Sequence, residues 1–153
     1  MASIKYEAAA ITSLMTTELN SLANGSGIDA SAGYDNGSNL YLFGYFELNV
    51  TFGSAPTAGQ LIDLYLMAAP DGTNYDTYVT GASEYAPIAA YVGSFQLQAI
   101  TSAQKCPLGG PAEPRLVPLP PVPFKAFVIN NSGQAFPASG STLKMVPYRY
   151  QSV

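Results

Sequence analysis

Histidine and tryptophan are absent from this chain, cysteine occurs once, and charged residues make up only 10% of its 153 positions. Each shortage excludes a class of function. Without histidine the chain lacks the commonest general base and the commonest transition-metal ligand. The lone Cys106 can form neither an internal disulfide nor a multi-cysteine metal cage. No Gly-x-Ser-x-Gly, phosphate loop or dinucleotide fingerprint occurs, so no catalytic, cofactor-binding or metal-ligating residue is assigned. The six basic residues, Lys5, Lys105, Arg115, Lys125, Lys144 and Arg149, stand singly in a chain of net charge −4. Direct nucleic-acid binding needs concentrated positive charge to displace phosphate counterions, and it is not expected here. No apolar run approaches the ~20 residues that span a bilayer, and the first residues lack the charged-then-apolar pattern of a secretory leader. The expectation is a protein that stays in a cytoplasm or leaves it inside a larger particle, with no membrane partner.

What the chain has instead is alternation. Over residues 40–52, Leu40, Leu42, Phe46, Leu48, Val50 and Phe52 fall on one side, with Gly44 among them. Tyr41, Phe43, Tyr45, Glu47, Asn49 and Thr51 fall on the other. A period of two predicts a β-strand with one face in a core and one aromatic-polar face outside. Residues 60–68 alternate again, with Ile62, Leu64 and Leu66 opposite Asp63 and Tyr65, and are expected to pair antiparallel with the first strand. Further strands are predicted at 92–100, 124–130 and 142–150, with short ones near 27–32 and 75–80. Seven of the twelve prolines lie within residues 106–123. Proline cannot donate to a ladder, so this stretch reads as an extended edge or crossover segment.

The N-terminal 1–23 reads differently from the single β-domain expected over 24–153. Ile11, Leu14, Met15, Leu19 and Leu22 recur at three- and four-residue steps, which predicts one apolar face of a helix over 4–23. Asn24-Gly25 supplies a C-terminal stop. Such a helix either packs on its own domain or docks as an arm on a neighbour. Strands separated by turn signals, with one N-terminal helix, predict a mainly β fold: an antiparallel β-sandwich, with a jelly roll as one arrangement.

Three local patterns invite a functional reading. Asp71-Gly72-Thr73-Asn74-Tyr75-Asp76 offers oxygen ligands for calcium, but too few acidic positions and no bidentate Glu, so a turn explains it with less. Sequons at Asn24, Asn36, Asn49 and Asn130 are what a chain rich in Ser and Asn produces by chance. Tyr34, Tyr41, Tyr45 and Tyr91 suit either a carbohydrate platform or an intersubunit surface. Their spread along strands favours the second, as does a composition low in Lys and Glu and high in tyrosine. The candidate interface residues are Ile11, Leu14, Met15, Leu19, Leu22, Tyr41, Tyr45, Tyr148 and Tyr150.

Residues 16–25 (TTELNSLANG), 48–59 (LNVTFGSAPTAG), 63–66 (DLYL) followed by 71–75 (DGTNY), and 127–133 (FVINNSG) with 138–144 (ASGSTLK) form a series. In this order they resemble a family of small virion structural proteins of tailed bacteriophages. The resemblance spans most of the chain but not its proline-rich stretch or Cys106. It implies a capsid decoration (cement) protein with a sandwich fold, bound to the major capsid protein or other virion proteins. Homo-oligomers are expected, because repeated identical sites on a shell favour closed symmetry. The candidate arms are the N-terminal segment and the tail 147–153. A tail or head-fibre component and a carbohydrate-binding module are the alternatives.

Overall fold

In the computed structural model, which describes residues 3–76, 91–110 and 115–152, the chain is mainly β, with ten strands and one four-residue α-turn among those residues. The strands are β1 (Ile4–Ala8), β2 (Thr12–Met15), β3 (Gly27–Asp29), β4 (Phe43–Val50) and β5 (Leu61–Ala68). They continue with β6 (Tyr91–Gln96), β7 (Gln104–Pro107), β8 (Leu116–Pro118), β9 (Phe124–Asn131) and β10 (Thr142–Ser152). Two antiparallel sheets result. The first runs β1-β10-β4-β7, with β2 also on β10 and β8 also on β4; the second runs β3-β9-β5-β6.

One core joins the two sheets. Phe46, Leu48 and Val50 from β4 and Leu143 and Met145 from β10 meet Ile62, Leu64 and Leu66 from β5 and Phe124, Ala126 and Val128 from β9. The alternation in the sequence is realised in β4, whose residues switch between half-buried and buried along its whole length. The predicted strand over 40–52 is shorter than expected, however. Leu40 caps the single turn α1 (Asn36–Asn39) in the left-handed region at φ 53°, and Leu40 and Leu42 are exposed.

Two expectations fail for one shared reason. The helix predicted over 4–23 does not form: the segment makes β1, β2 and a single 3-10 turn at Thr17–Leu19. Threonines at 12, 16 and 17 weaken the helix, and β10 offers a long edge to pair with. The expected pairing of β4 with β5 also fails, because these strands lie in different sheets and face each other through the core. In both cases alternation or periodicity is a property of neighbours in sequence, whereas the hydrogen-bond partner is chosen by distant chain.

Pro147 explains why the N-terminal segment is two strands rather than one. Met145 pairs with Thr12 and Tyr148 with Ala8, while Ala9 donates its N–H to the Pro147 carbonyl at 2.9 Å. Pro147 has no N–H to return, so the ladder breaks opposite it and resumes beyond. The remaining predicted strands appear with shifted ends. That at 92–100 is β6, with Phe95 and Leu97 buried but Ala99 exposed. The proline-rich stretch carries β7 and β8 along one edge of β4, where proline is tolerated. The strand expected at 75–80 is not formed at Tyr75 and Asp76, and its remainder lies outside the described residues.

Candidate functional site

β4 and β10 bury one set of side chains, so the alternate set makes an outer surface on the first sheet. Register fixes its members. Tyr148 is opposite Phe43 and Val146 opposite Tyr45; Tyr6 is opposite Tyr150 and Ile4 opposite Ser152; Leu116 is opposite Tyr45. All of these fall on the face away from the core. Tyr6 and Tyr150 stack at 5.2 Å between ring centroids, and Phe43 meets Tyr150 edge-on at 6.0 Å. Ile4 is 74% exposed, Tyr6 56%, Tyr150 49% and Leu116 41%, so this is a contiguous aromatic and apolar band open to solvent. Bands of this kind mark interaction surfaces more often than inert ones.

Charge on the face is sparse and self-compensated. Glu47 of β4 stands opposite Lys144 of β10. Partial burial, then the Glu47 carboxylate and Tyr148, push the Tyr45 phenol upward. The hydrogen-bonding Tyr6 phenol does the same to Tyr150. Both stay neutral hydroxyls, and that of Tyr150 donates to Tyr6.

Past the start of β4 at Phe43, the first sheet narrows. Among the described residues, Arg149–Ser152 of β10 pair with β1 and not with β4, so these parts of β1 and β10 form a two-stranded ribbon beyond the end of β4. On its reverse side Arg149 donates from Nε to Glu7 at 2.6 Å and lies 5.6 Å above the Tyr41 ring.

The nine candidate interface residues separate into groups. Tyr45, Tyr148 and Tyr150 share the outer face. Tyr41 is on the other side, half-buried against the core and beside Arg149. Ile11 is 63% exposed and borders the outer face in a depression shared with Tyr45, Glu47, Lys144 and Val146. Leu14 is half-buried, and Met15, Leu19 and Leu22 belong to the chain's own core, with no surface left for a neighbour. The apolar stripe is thus divided: Met15, Leu19 and Leu22 face inward, whereas Ile11 faces solvent. The sequence reading passed over Ile4, Tyr6, Phe43, Val146 and Leu116 as interface residues. The alternation Ile4-Lys5-Tyr6-Glu7 was the signal available for the first two.

The other tyrosines do not gather into one platform. Tyr34 packs on Phe124 at 5.4 Å, whereas Tyr91 meets Tyr65 at 5.3 Å on the outer face of the second sheet. That face also carries a small buried cluster, Met67, Phe127 and Ile129, with Tyr65 and Tyr75 against it.

Chemistry is equally dispersed. Both Asp71 carboxylate oxygens accept from Thr73 and Asn74, and Asp76 accepts from the Ala68 N–H, so the two carboxylates serve their own turn. No group of three or more metal-ligating side chains occurs among the described residues. Burial, reinforced by Glu47, pushes the Cys106 thiol up to about 11, which keeps it protonated and unreactive. Of the sequon asparagines, Asn36 and Asn130 are fully buried with their amides donated to carbonyls. No helix among the described residues is long and apolar enough to cross a membrane.

Compared with known proteins, the chain matches no family model, no curated sequence and no solved structure.

Proposed function

We propose that this protein is a non-enzymatic structural component of a tailed-phage virion, a decoration (cement) protein that binds the outer shell of the head. It is made in the host cytoplasm and acts in the particle. The observation that carries this reading is the aromatic band of exposed Tyr6 and Tyr150 and half-buried Phe43, Tyr45 and Tyr148, on a face where Glu47 and Lys144 stand opposite each other. Aromatic surface with few lysines and glutamates is the composition of protein–protein contacts. The resemblance of the segment order to small virion proteins supplies the biological setting. The projecting ribbon serves as an arm to a neighbouring subunit, and the major capsid protein or another virion protein is the partner.

A jelly-roll β-sandwich is the matching architecture. β1 and β2 share one side of β10, and β7 and β8 share one side of β4, so each pair occupies one strand position. Eight positions result, and they pair first with last, second with seventh, third with sixth and fourth with fifth. One long antiparallel hairpin rolled onto itself has this connectivity, which is common in capsid and lectin domains.

Cryo-electron microscopy of purified particles tests the assignment. Density for this chain in many symmetric copies on the shell, with the first sheet turned toward the capsid lattice, is the expected result. A few copies at a vertex or tail would place it with connectors or fibres, and absence from particles would end the virion reading.

A further inference from the structure

Among the described residues, no strand pairs with the outer edge of β1. β1 ends the first sheet, and its register with β10 runs without interruption from Ile4–Ser152 to Ala8–Tyr148. Ala9 donates to Pro147, and bonded positions recur every second residue in an antiparallel ladder. Glu7 and Lys5 therefore direct their peptide groups at β10, and Ile4, Tyr6 and Ala8 direct theirs outward. The ribbon that carries this edge is two-stranded, a form that is marginal in water without further strands. β1 has neither a proline nor a bulge to discourage pairing.

We propose that two copies of this chain join by antiparallel pairing of their β1 strands about a two-fold axis at Tyr6. The strand is complementary to itself in that register alone. With Tyr6 opposite Tyr6 of the second copy, Lys5 stands opposite Glu7 of that copy, and Glu7 opposite its Lys5. Two-fold registers centred on Lys5 or on Glu7 place like charges directly against each other, which is destabilising. The Tyr6 register also uses the outward peptide groups of Ile4, Tyr6 and Ala8. It sets the Tyr150–Tyr6 stack end to end with its symmetry mate, so the aromatic bands of both copies become one surface. The contact is isologous and closes as a dimer. It depends only on this strand edge, so it stands or falls separately from the virion reading.

Sedimentation velocity over a concentration series is the test, with thermal melts to establish that each variant is folded. Wild type associates to a dimer. Lys5→Glu and Glu7→Lys alone each place like charges in both symmetric pairs and raise the dissociation constant about tenfold or more. Mixing the two restores association, because every cross-copy pair is then opposite in charge. Ala8→Pro removes an outward N–H while leaving the bonds to β10, and it weakens the dimer without unfolding the chain. Should Glu7→Lys loosen β1 by repelling Arg149, Lys5→Glu and Ala8→Pro decide the matter by themselves. A wild type that stays monomeric throughout, or a dimer indifferent to both of those variants, overturns the proposal.

Discussion

Asn130 illustrates how single residues hold this molecule. Its buried amide donates to the Leu22 and Gln134 carbonyls at 2.9 and 2.8 Å and accepts from the Ser132 N–H at 3.1 Å. It thereby ties the N-terminal segment to the loop after β9. Asn130→Ala leaves those groups buried without a partner and is expected to lower stability by about 1–3 kcal/mol in denaturant titration. Glu18 does similar work at the surface. Burial raises its carboxyl, but hydrogen bonds from the Ser31 hydroxyl and from the Thr16, Glu18 and Ser31 N–H groups outweigh this and hold it at about 2. A depressed carboxyl contributes stability that is complete above its ordinary value of 4.5 and is lost as pH falls toward about 2. The melting-temperature gap between wild type and Glu18→Gln should accordingly be largest near neutrality and shrink through that window. Cys106 runs the opposite way. Its contribution is whole below the ordinary 9.0 and is lost as pH rises through about 11. Thiol reagents are expected to label it slowly in the native protein and rapidly after unfolding.

Among the elements, β4 is the one on which the arrangement turns. It takes β10 on one side and β7 and β8 on the other, while its inward residues fill the core and its outward residues furnish the aromatic band. Gly44 sits opposite Pro147 at its inner face, and a Cβ there would approach Leu119, Met145 and Phe46 at 3.0 Å each. Gly44→Ala is expected to cost about 1–3 kcal/mol by overpacking, measured as a lower denaturation midpoint. Gly93 serves a different need. It occupies the irregularity between Leu64 and Tyr65 in the β5–β6 ladder at φ 149°, and Leu108 packs where a Cβ would project. The N-terminal segment is an element whose identity comes from its partner. Its spacing fits a helix, yet β10 captures it as strands, and Pro147 sets where the strands divide.

For the molecule as a whole, the two sheets differ in what they present. The second sheet covers part of its outer face with Tyr65 and Tyr75 over Met67, Phe127 and Ile129. The first leaves Tyr6 and Tyr150 exposed and Phe43, Tyr45 and Tyr148 half-buried. On the proposed reading, stability resides in the shared core and adhesion on the aromatic face of the first sheet. The paired variant Leu116→Ser/Tyr150→Ser tests that division. Both side chains are exposed, so stability should change by no more than about 0.5–1 kcal/mol in total. On the proposed virion role, occupancy on particles, read from band intensity after purification, should fall.

The sequence by itself determined which residues face inward along β4 and β5, because alternation is written in adjacent positions and burial follows it, whereas β9 is buried on both faces and shows no such pattern. It also determined that no histidine serves as base or metal ligand, since no fold can supply a residue that is absent. It grouped Ile11, Leu14, Met15, Leu19 and Leu22 as one helical face, of which Met15, Leu19 and Leu22 are core residues, Leu14 is half-buried and Ile11 is exposed. Only the tertiary structure decided which strands pair, that the N-terminal segment is β, and that Tyr6, Phe43, Tyr148 and Tyr150 meet in one band. Glu7 and Arg149, 142 positions apart, form an ion pair that no local window could contain. A strand's free peptide groups accept any extended partner, and the choice among partners is made by the energy of the whole packed core rather than by the letters of the strand itself.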